Sequence, residues 1–160
     1  MEFNDFKNEI LRRAKEADAC SGEYRRAYQS NGYSELMQVI KDNFGFAVRY
    51  NVIDPSLIET YKDQFNANQI YCNVDAGSGF LFASDNATVR AWGNATVEAS
   101  DNATVEAWGN AYVTSYYVIE CKLRDNAIYR IRESNTVRYV SDNINFEKVS
   151  AHGPERDTYQ

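Results

Sequence analysis

The hydrophobic pattern of the chain changes near residue 69. Before that point, apolar residues recur at intervals of three and four, as at Phe3, Phe6 and Ile10, which is typical of amphipathic helices. After it, apolar and polar residues alternate with a period of two, which is typical of β-strands. The pattern therefore predicts a small helical domain over residues 1–68 and a β domain over 69–149, followed by a mobile polar tail over 150–160.

The helical domain is expected to contain four helices. The first two lie before Asn31-Gly32, a pair that favours a turn. Ser34 is a candidate N-cap for the third helix, whose apolar stripe extends to Phe44. Asp54-Pro55 predicts the start of the fourth, which reaches Phe65, because Asp accepts hydrogen bonds from free N–H groups and Pro fits the first helical turn.

The β domain is built on an eight-residue repeat, whose clearest copies read NATVRAWG, NATVEASD and NATVEAWG. Gly-Asn and Asp-Asn pairs separate the copies and favour turns, because these residues tolerate left-handed backbone angles. Charged side chains are not buried in bulk, so the Ala, Val and Ala of each copy are predicted to point inward. The same phase extends from Ser78 to Ser141 and places Asn135, Val137 and Tyr139 inward in the last unit.

A second period, of sixteen residues, distinguishes between two folds for these repeats. Trp92 and Trp108 are sixteen residues apart, and Ser84 and Ser100 occupy the equivalent position in the alternate units. This spacing favours a two-sided β-solenoid of about four coils, each made of two eight-residue half-coils, with a terminal strand over 143–149. The alternative is an antiparallel β-meander with two-residue turns. The predicted fold class is α+β.

Stacked coils would place outward residues sixteen apart in ladders on two faces. Trp92 and Trp108 form the edge of one face beside Arg124, and exposed tryptophans in register are the rigid anchors that binding surfaces use. Alternatively, the two indoles fold over the turn and only seal the coil.

The opposite face carries more apolar surface than a solvated sheet, so we expect the helical domain, a second copy of the chain or a ligand to cover it. The candidate binding residues are Trp92, Trp108, Phe80, Phe82, Tyr112, Tyr116, Arg124 and Arg132.

Charge and cysteine content narrow the classes of partner. The net charge is −6, with no cluster of Lys and Arg, so direct binding to nucleic acid is not expected. No apolar run is long enough to span a bilayer, and the N-terminus lacks the layout of a signal peptide, so no membrane association is expected. Three cysteines at unrelated spacings are typical of reduced thiols in a cytoplasmic protein.

The residues of the chain do not suggest an active site. The single histidine is His152, in the polar tail, which argues against most nucleophilic and general-base schemes. Gly77-Ser78-Gly79 lacks the lysine of a phosphate-binding loop, and Glu98 and Glu106 are expected on opposite faces. We therefore expect a protein that is not an enzyme and that has no cofactor and no metal site.

The NATV repeats, which follow a helical segment ending in YKDQFNANQIYCN, resemble a group of small uncharacterised proteins of gut bacteria and of phages or other mobile elements. The resemblance covers the repeats and the segment just before them. It implies an accessory protein and assigns no functional residue. Small acidic proteins of such elements often resemble stoichiometric inhibitors of host defence, including anti-CRISPR proteins.

Three functional hypotheses follow. The first is a non-enzymatic module that binds a protein partner through a solenoid face, forms a homodimer and inhibits a host complex. The second is a structural module that spaces subunits in a larger particle. The third is ice binding by a flat threonine array, although Glu120 interrupts the row begun by Thr88 and Thr104.

Overall fold

The computed structural model describes residues 2–140 and 147–149. The chain divides into two compact units, Met1–Ile70 and Tyr71–Gln160. A helical N-terminal unit followed by a β-solenoid confirms the predicted α+β class. The predicted tail over 150–160 lies outside the described residues.

The described part of the first unit contains six helices, two more than expected. They are α1 (Phe3–Glu16), α2 (Ser21–Tyr28), α3 (Tyr33–Asp42), α4 (Phe44–Arg49), α5 (Pro55–Thr60) and α6 (Lys62–Ala67). The predicted third helix is interrupted at Asn43, whose side-chain amide donates to the Val39 carbonyl at 2.9 Å and so competes with the backbone ladder. Asp54 caps α5 as predicted, because its carboxylate accepts from the Leu57 N–H at 2.8 Å. The N-cap of α3 is Gly32 and not Ser34.

An ion pair joins the first helix to the start of the fifth. Arg13 on α1 donates to Glu9 at 2.7 Å and to Asp54, the cap of α5, at 3.1 Å. Hydrogen bonds from Arg12 and Arg13 lower the pKa of Glu9 to about 2, so its carboxylate stays charged at ordinary pH. Beneath this pair, Phe6 is fully buried and contacts the rings of Tyr61 and Phe65.

The second unit is a two-sided solenoid in which consecutive strands from β3 to β9 lie in alternate sheets. Sheet A has the order β1-β3-β5-β7-β9-β10, and sheet B has the order β11-β8-β6-β4-β2. The strands are β1 (Ile70–Cys72), β2 (Ala76–Gly77), β3 (Phe80–Ala83), β4 (Thr88–Ala91), β5 (Thr96–Ala99), β6 (Thr104–Ala107), β7 (Tyr112–Ser115), β8 (Glu120–Leu123), β9 (Ile128–Ile131), β10 (Thr136–Tyr139) and β11 (Glu147–Val149).

Residues sixteen apart pair in parallel, which confirms the solenoid and excludes the meander. Thr88 lies opposite Thr104 in sheet B, and Thr96 lies opposite Tyr112 in sheet A. The inward Ala and Val side chains are buried, and Val89 and Val97 are completely inaccessible. As the turn pairs predict, five corner residues have left-handed backbone angles, with φ between 54° and 66°: Asp85, Gly93, Asp101, Gly109 and Asp125.

The prediction that the last eight-residue unit continues the parallel stack is wrong. After Ile131 the chain turns back, and β10 pairs antiparallel with β9, so parallel winding ends after roughly three coils and not four. Val137 and Tyr139, predicted to point inward, are 45% and 47% exposed, whereas Arg138 is buried opposite Tyr129. The physical cause is Asn135, whose amide would have to be buried where the repeat has alanine; in the hairpin it is exposed and accepts from Arg130 at 3.2 Å.

A terminal strand is present, as predicted. β11 pairs antiparallel with β8 and places Lys148 opposite Lys122. Residues 143–146 of the predicted strand lie outside the described residues. The described strand therefore adds to sheet B beside the last parallel strand of that sheet.

At one corner of the third coil, a buried tyrosine accepts the hydrogen bond that a backbone carbonyl accepts at the other corners. At other corners an alanine N–H donates to the carbonyl three residues earlier, as Ala103 does to Ser100 at 3.2 Å. At the third coil, Tyr117-Val118 stands in place of Asp-Asn, and the Ile119 N–H donates to the Tyr129 hydroxyl at 3.0 Å. The Tyr129 hydroxyl also lies 2.6 Å from Ser115 Oγ. Burial raises the pKa of Tyr129 to about 12.

Replacing Tyr129 by Phe should destabilise the solenoid, because the buried Ile119 N–H would lose its partner and the Ser115 hydroxyl would keep only its bond to the Tyr117 carbonyl. We expect a loss of about 1–3 kcal/mol in the free energy of unfolding, measured by urea denaturation. Because the folded pKa of Tyr129 lies above its ordinary value of 10.0, the wild-type phenol stabilises the fold fully below pH 10 and loses this effect as the pH rises towards 12. The Tyr129→Phe variant should lack that part of the alkaline decline. An equal pH dependence in both proteins would contradict the assignment.

Gly109 and Gly93 provide a matched test of corner stacking. Both have left-handed backbone angles, but a Cβ on Gly109 would lie 3.0 Å from the Gly93 nitrogen, whereas a Cβ on Gly93 would meet nothing nearer than 3.6 Å. Gly93→Ala should cost about 1 kcal/mol for the backbone angle. Gly109→Ala should cost roughly 1 kcal/mol more, because crowding against fixed backbone adds to it. Equal melting temperatures for the two variants would contradict the close approach.

Candidate binding surfaces

Three residues predicted to form a binding edge stack against one another, and we call them the Trp edge: Trp92, Trp108 and Arg124. Each follows a strand of sheet B at the corner leading to sheet A, so the in-register pairing of β4, β6 and β8 aligns them. The two indole rings stack with centroids 5.6 Å apart and planes 26° from parallel. The Arg124 guanidinium lies 4.8 Å from the Trp108 ring centroid, within the range of a cation–π contact.

The Trp edge is accessible and borders a recess. Trp92, at one end of the stack, is 38% exposed, and Trp108 is half-buried between its neighbours. The recess has a volume of about 240 Å³ and is lined by Trp108, Arg124, Glu106, Ala107 and Lys122. Glu106 and Lys122 lie opposite each other in the register, with Lys122 Nζ 3.7 Å from the Glu106 carboxylate. An aromatic wall beside paired charges is suited to a partner's planar or charged side chain.

On sheet A, the middle row of outward residues is buried. Phe82, Glu98 and Thr114 are respectively 6%, 4% and 4% exposed, so the ring of Phe82 does not present a surface. Arg132 extends back along this row and donates to Glu98 at 3.1 Å and to Thr114 at 2.9 Å. Arg132 is therefore engaged in an ion pair within the solenoid, although the sequence suggested it as a binding residue.

An outer row of sheet A carries exposed apolar side chains, and we call it the tyrosine row: Tyr112, Ile128 and Tyr139. Tyr112 lies opposite Ile128 in parallel register, and Ile128 lies opposite Tyr139 in the antiparallel register of β10. They are respectively 37%, 39% and 47% exposed. Phe80, at the other end of the same ladder, is half-buried. Sequence reasoning placed Tyr112 and Ile128 in one ladder and selected only Tyr112, and it missed Tyr139 because the chain reversal was not foreseen.

Tyr116 lies apart from both groups. It occupies the corner from sheet A to sheet B, is 49% exposed and packs edge-on against Tyr117 with ring centroids 4.9 Å apart. The structure thus brings together the three residues of the Trp edge. It distributes the other candidates over the opposite sheet and the opposite corner: Phe80, Phe82, Tyr112, Tyr116 and Arg132.

The ionisable and metal-ligating side chains of the described residues are dispersed. No group of three His, Cys, Asp or Glu among them is arranged to hold a metal ion. Glu98 and Glu106 belong to different sheets, as predicted. The cysteines are free thiols, with Cys20 exposed and Cys121 buried. His152 lies outside the described residues.

None of the described helices combines the length and the apolarity needed to cross a bilayer. In comparisons with known proteins, no family model, no curated protein and no solved structure matches this chain. The resemblance to proteins of gut bacteria and mobile elements therefore stays an expectation from the sequence.

Replacing Arg132 by Met tests the ion pair on sheet A. The Glu98 carboxylate is nearly inaccessible and would lose its guanidinium partner, so we expect the free energy of unfolding to fall by about 3 kcal/mol. Adding Glu98→Gln to the Arg132→Met variant should recover part of that loss, because the buried charge is removed. Chemical denaturation of both variants measures the difference. A double variant no more stable than Arg132→Met alone would contradict a stabilising ion pair.

Proposed function

We propose that this chain is a non-enzymatic module that binds a protein partner through the Trp edge. The observation that supports it best is the stack of Trp92, Trp108 and Arg124 on an accessible corner of the solenoid. Trp and Arg are the residue types that most often dominate the energy of a protein interface. Their combination in one stack gives the partner a large apolar area and a fixed positive charge.

The Trp edge is held in place before a partner arrives. Trp92 and Trp108 precede Gly93 and Gly109, whose backbones approach each other closely, and the Asn110 N–H donates to the Gly93 carbonyl at 2.8 Å. Each indole also restricts its neighbour by stacking. Because few side-chain rotamers remain to be frozen, the entropic cost of binding at this edge is small.

The charged side chains beside the stack form a polar rim around the apolar indoles. Glu106 and Lys122 contact each other across the strands, and both have side chains more than a third exposed. Paired charges at the rim contribute to orientation and association rate more than to affinity. The net charge of −6 and the dispersed basic residues support a protein partner over a nucleic acid.

The class of partner that we propose is a host defence complex inside the cell. The chain would act as a stoichiometric inhibitor carried by a phage or other mobile element, as anti-CRISPR proteins do, and the resemblance of the NATV repeats supports this setting. An inhibitor of this kind needs no catalytic group, which agrees with a single histidine at position 152.

We further propose that two copies of the chain form a homodimer through the tyrosine row. Tyr112, Ile128 and Tyr139 present contiguous apolar side chains on sheet A, and such surfaces are frequent at symmetric interfaces. The Trp edge lies at the end of the sheet B strands, so a dimer through this row would leave both Trp edges accessible. Sedimentation of the wild-type chain and of the Ile128→Glu variant would distinguish this dimer from a monomer.

Replacing both Trp92 and Trp108 by Ala should abolish partner binding while the solenoid stays folded. Neither indole belongs to the buried Ala and Val interior, so the far-ultraviolet circular dichroism should not change. The measurement is a pull-down from the natural host with the wild-type and the double variant, analysed by quantitative mass spectrometry. A protein retained by wild type should be depleted at least tenfold with the double variant, which corresponds to a loss of about 1.4 kcal/mol.

A matched control is the double replacement of Thr88 and Thr104 by Ala, which alters the outer surface of the same two strands, β4 and β6. It should retain the partner as wild type does. In a host with active CRISPR immunity, wild type and the threonine variant should both permit phage growth, whereas the tryptophan variant should not. Equal retention by all three proteins would show that binding does not use the Trp edge. Loss of the circular dichroism signal would show that the indoles are structural.

A further inference from the structure

The helical unit contains a cavity that the proposed binding function does not use. It lies between α1, α2, α3 and α4 and has a volume of about 290 Å³. The pocket is about half open to the surface, and a partly enclosed apolar space of this size is typical of sites that bury small ligands.

The wall of the cavity is apolar, and small residues create the space. Ile10, Leu36 and Ile40 line it from α1 and α3, and Phe46 and Val52 line it from α4 and the segment that follows. Three of the helices contribute a buried alanine where a larger side chain would fill the space: Ala14, Ala27 and Ala47. An apolar cavity does not hold ordered water well, because water needs several polar partners.

Helix α2 contributes little buried surface to the wall of the cavity. Ala27 is the one buried residue of this helix, and Tyr24 lines the cavity while half-buried. Polar contacts with the end of α3 fasten the helix. Arg26 pairs with Asp42 at 2.6 Å, and the Asn43 amide donates to Glu23 at 2.8 Å. A surface ion pair such as that of Arg26 with Asp42 contributes little to stability, so a ligand that added apolar contact with α2 would strengthen the packing of this helix.

The polar groups at the rim select against negative charge. Asp18 and Glu23 provide carboxylates and Asn43 provides an amide, and among the described residues no Lys or Arg lines the cavity. A ligand with a carboxylate or phosphate would meet the carboxylate of Asp18 and that of Glu23, which is paired with Arg26 at 3.0 Å, and no described lysine or arginine in the wall itself. This arrangement disfavours fatty acids and phosphorylated compounds, and it favours a neutral molecule.

We propose that the helical unit binds a small neutral apolar molecule in this cavity, of the size of a fused two-ring aromatic. An apolar cavity of roughly 150 Å³ accommodates benzene, and the present one is about twice as large. The ligand fills the space left by the three alanines and packs α2 against α1 and α3. Binding therefore stabilises the helical unit by mass action.

The test uses the full chain with 2-naphthol as the neutral probe and 2-naphthoate as its anionic counterpart. Calorimetric titration should show saturable binding of 2-naphthol at one site per chain, together with a rise in melting temperature. Because of the carboxylates at the rim, 2-naphthoate should bind at least tenfold more weakly. Absence of saturable 2-naphthol binding would overturn the proposal, and equal binding of the two probes would overturn the assignment of a neutral ligand.

Replacing Ala27 by Phe should fill the cavity, with at least a tenfold loss of 2-naphthol affinity. The matched control is Ala67→Phe, which places the same ring on an exposed position of α6 and should bind as wild type does. Equal affinity in wild type and Ala27→Phe would place the probe elsewhere and overturn the proposal. If Ala27→Phe does not fold, Ala47→Leu provides a smaller filling of the same space.

Cys20 offers a readout on the unaltered protein. It is exposed and lines the cavity, whereas Cys72 is half-buried and belongs to the solenoid. Saturating 2-naphthol should slow alkylation of Cys20 by N-ethylmaleimide at least threefold and leave Cys72 unchanged, as measured by peptide mass spectrometry. An unchanged rate at Cys20 under saturation would contradict binding at this site.

Discussion

Parallel pairing between residues sixteen apart is the constraint on which the rest of the solenoid depends. It stacks each inward valine on the next, as Val89 on Val105, while larger side chains such as Leu81 and Tyr129 fill the interior towards its two ends. The same pairing aligns whatever lies on the outside, including the indoles of Trp92 and Trp108. The inner and outer faces of the sheets share one register. One pattern of backbone hydrogen bonds therefore sets both the apolar interior and the external stack.

The regular part of this fold could be predicted because two independent periods agree. The alternation of two identified the inward residues, and the period of sixteen identified the two sides of the coil. The structure departs from the prediction at single residues, whose effects depend on tertiary contacts. Asn135 occupies an alanine position and reverses the chain, and Asn43 ends a helix that the apolar stripe would have continued. The available signal was a polar residue, Asn135, at a position predicted to point inward. The prediction disregarded it because the alternation of apolar and polar residues continued after it.

The candidate site could be predicted only where it follows the repeat. Trp92, Trp108 and Arg124 share one register, so their contact followed from the period. The burial of Phe82 and the ion pair of Arg132 with Glu98 could not be predicted from the period, because they depend on tertiary contacts that the period does not specify. The cavity of the helical unit gave no signal in the sequence, since alanines at buried helical positions are ordinary and a void arises only from how several helices meet.

The hairpin between β9 and β10 has a consequence for how such a chain can change length. It reverses the chain at the end of the parallel stack, while the coils before it pair with one another in a single repeating geometry. A tandem duplication or loss of a sixteen-residue segment inside the stack would leave both terminal structures intact, because the new neighbours meet in the same register. Each added copy of the NATVEASD–NATVEAWG type would also lengthen the external aromatic column by one indole. Replication errors in a repetitive gene would thus adjust the reach of that column in discrete steps without redesign of the fold.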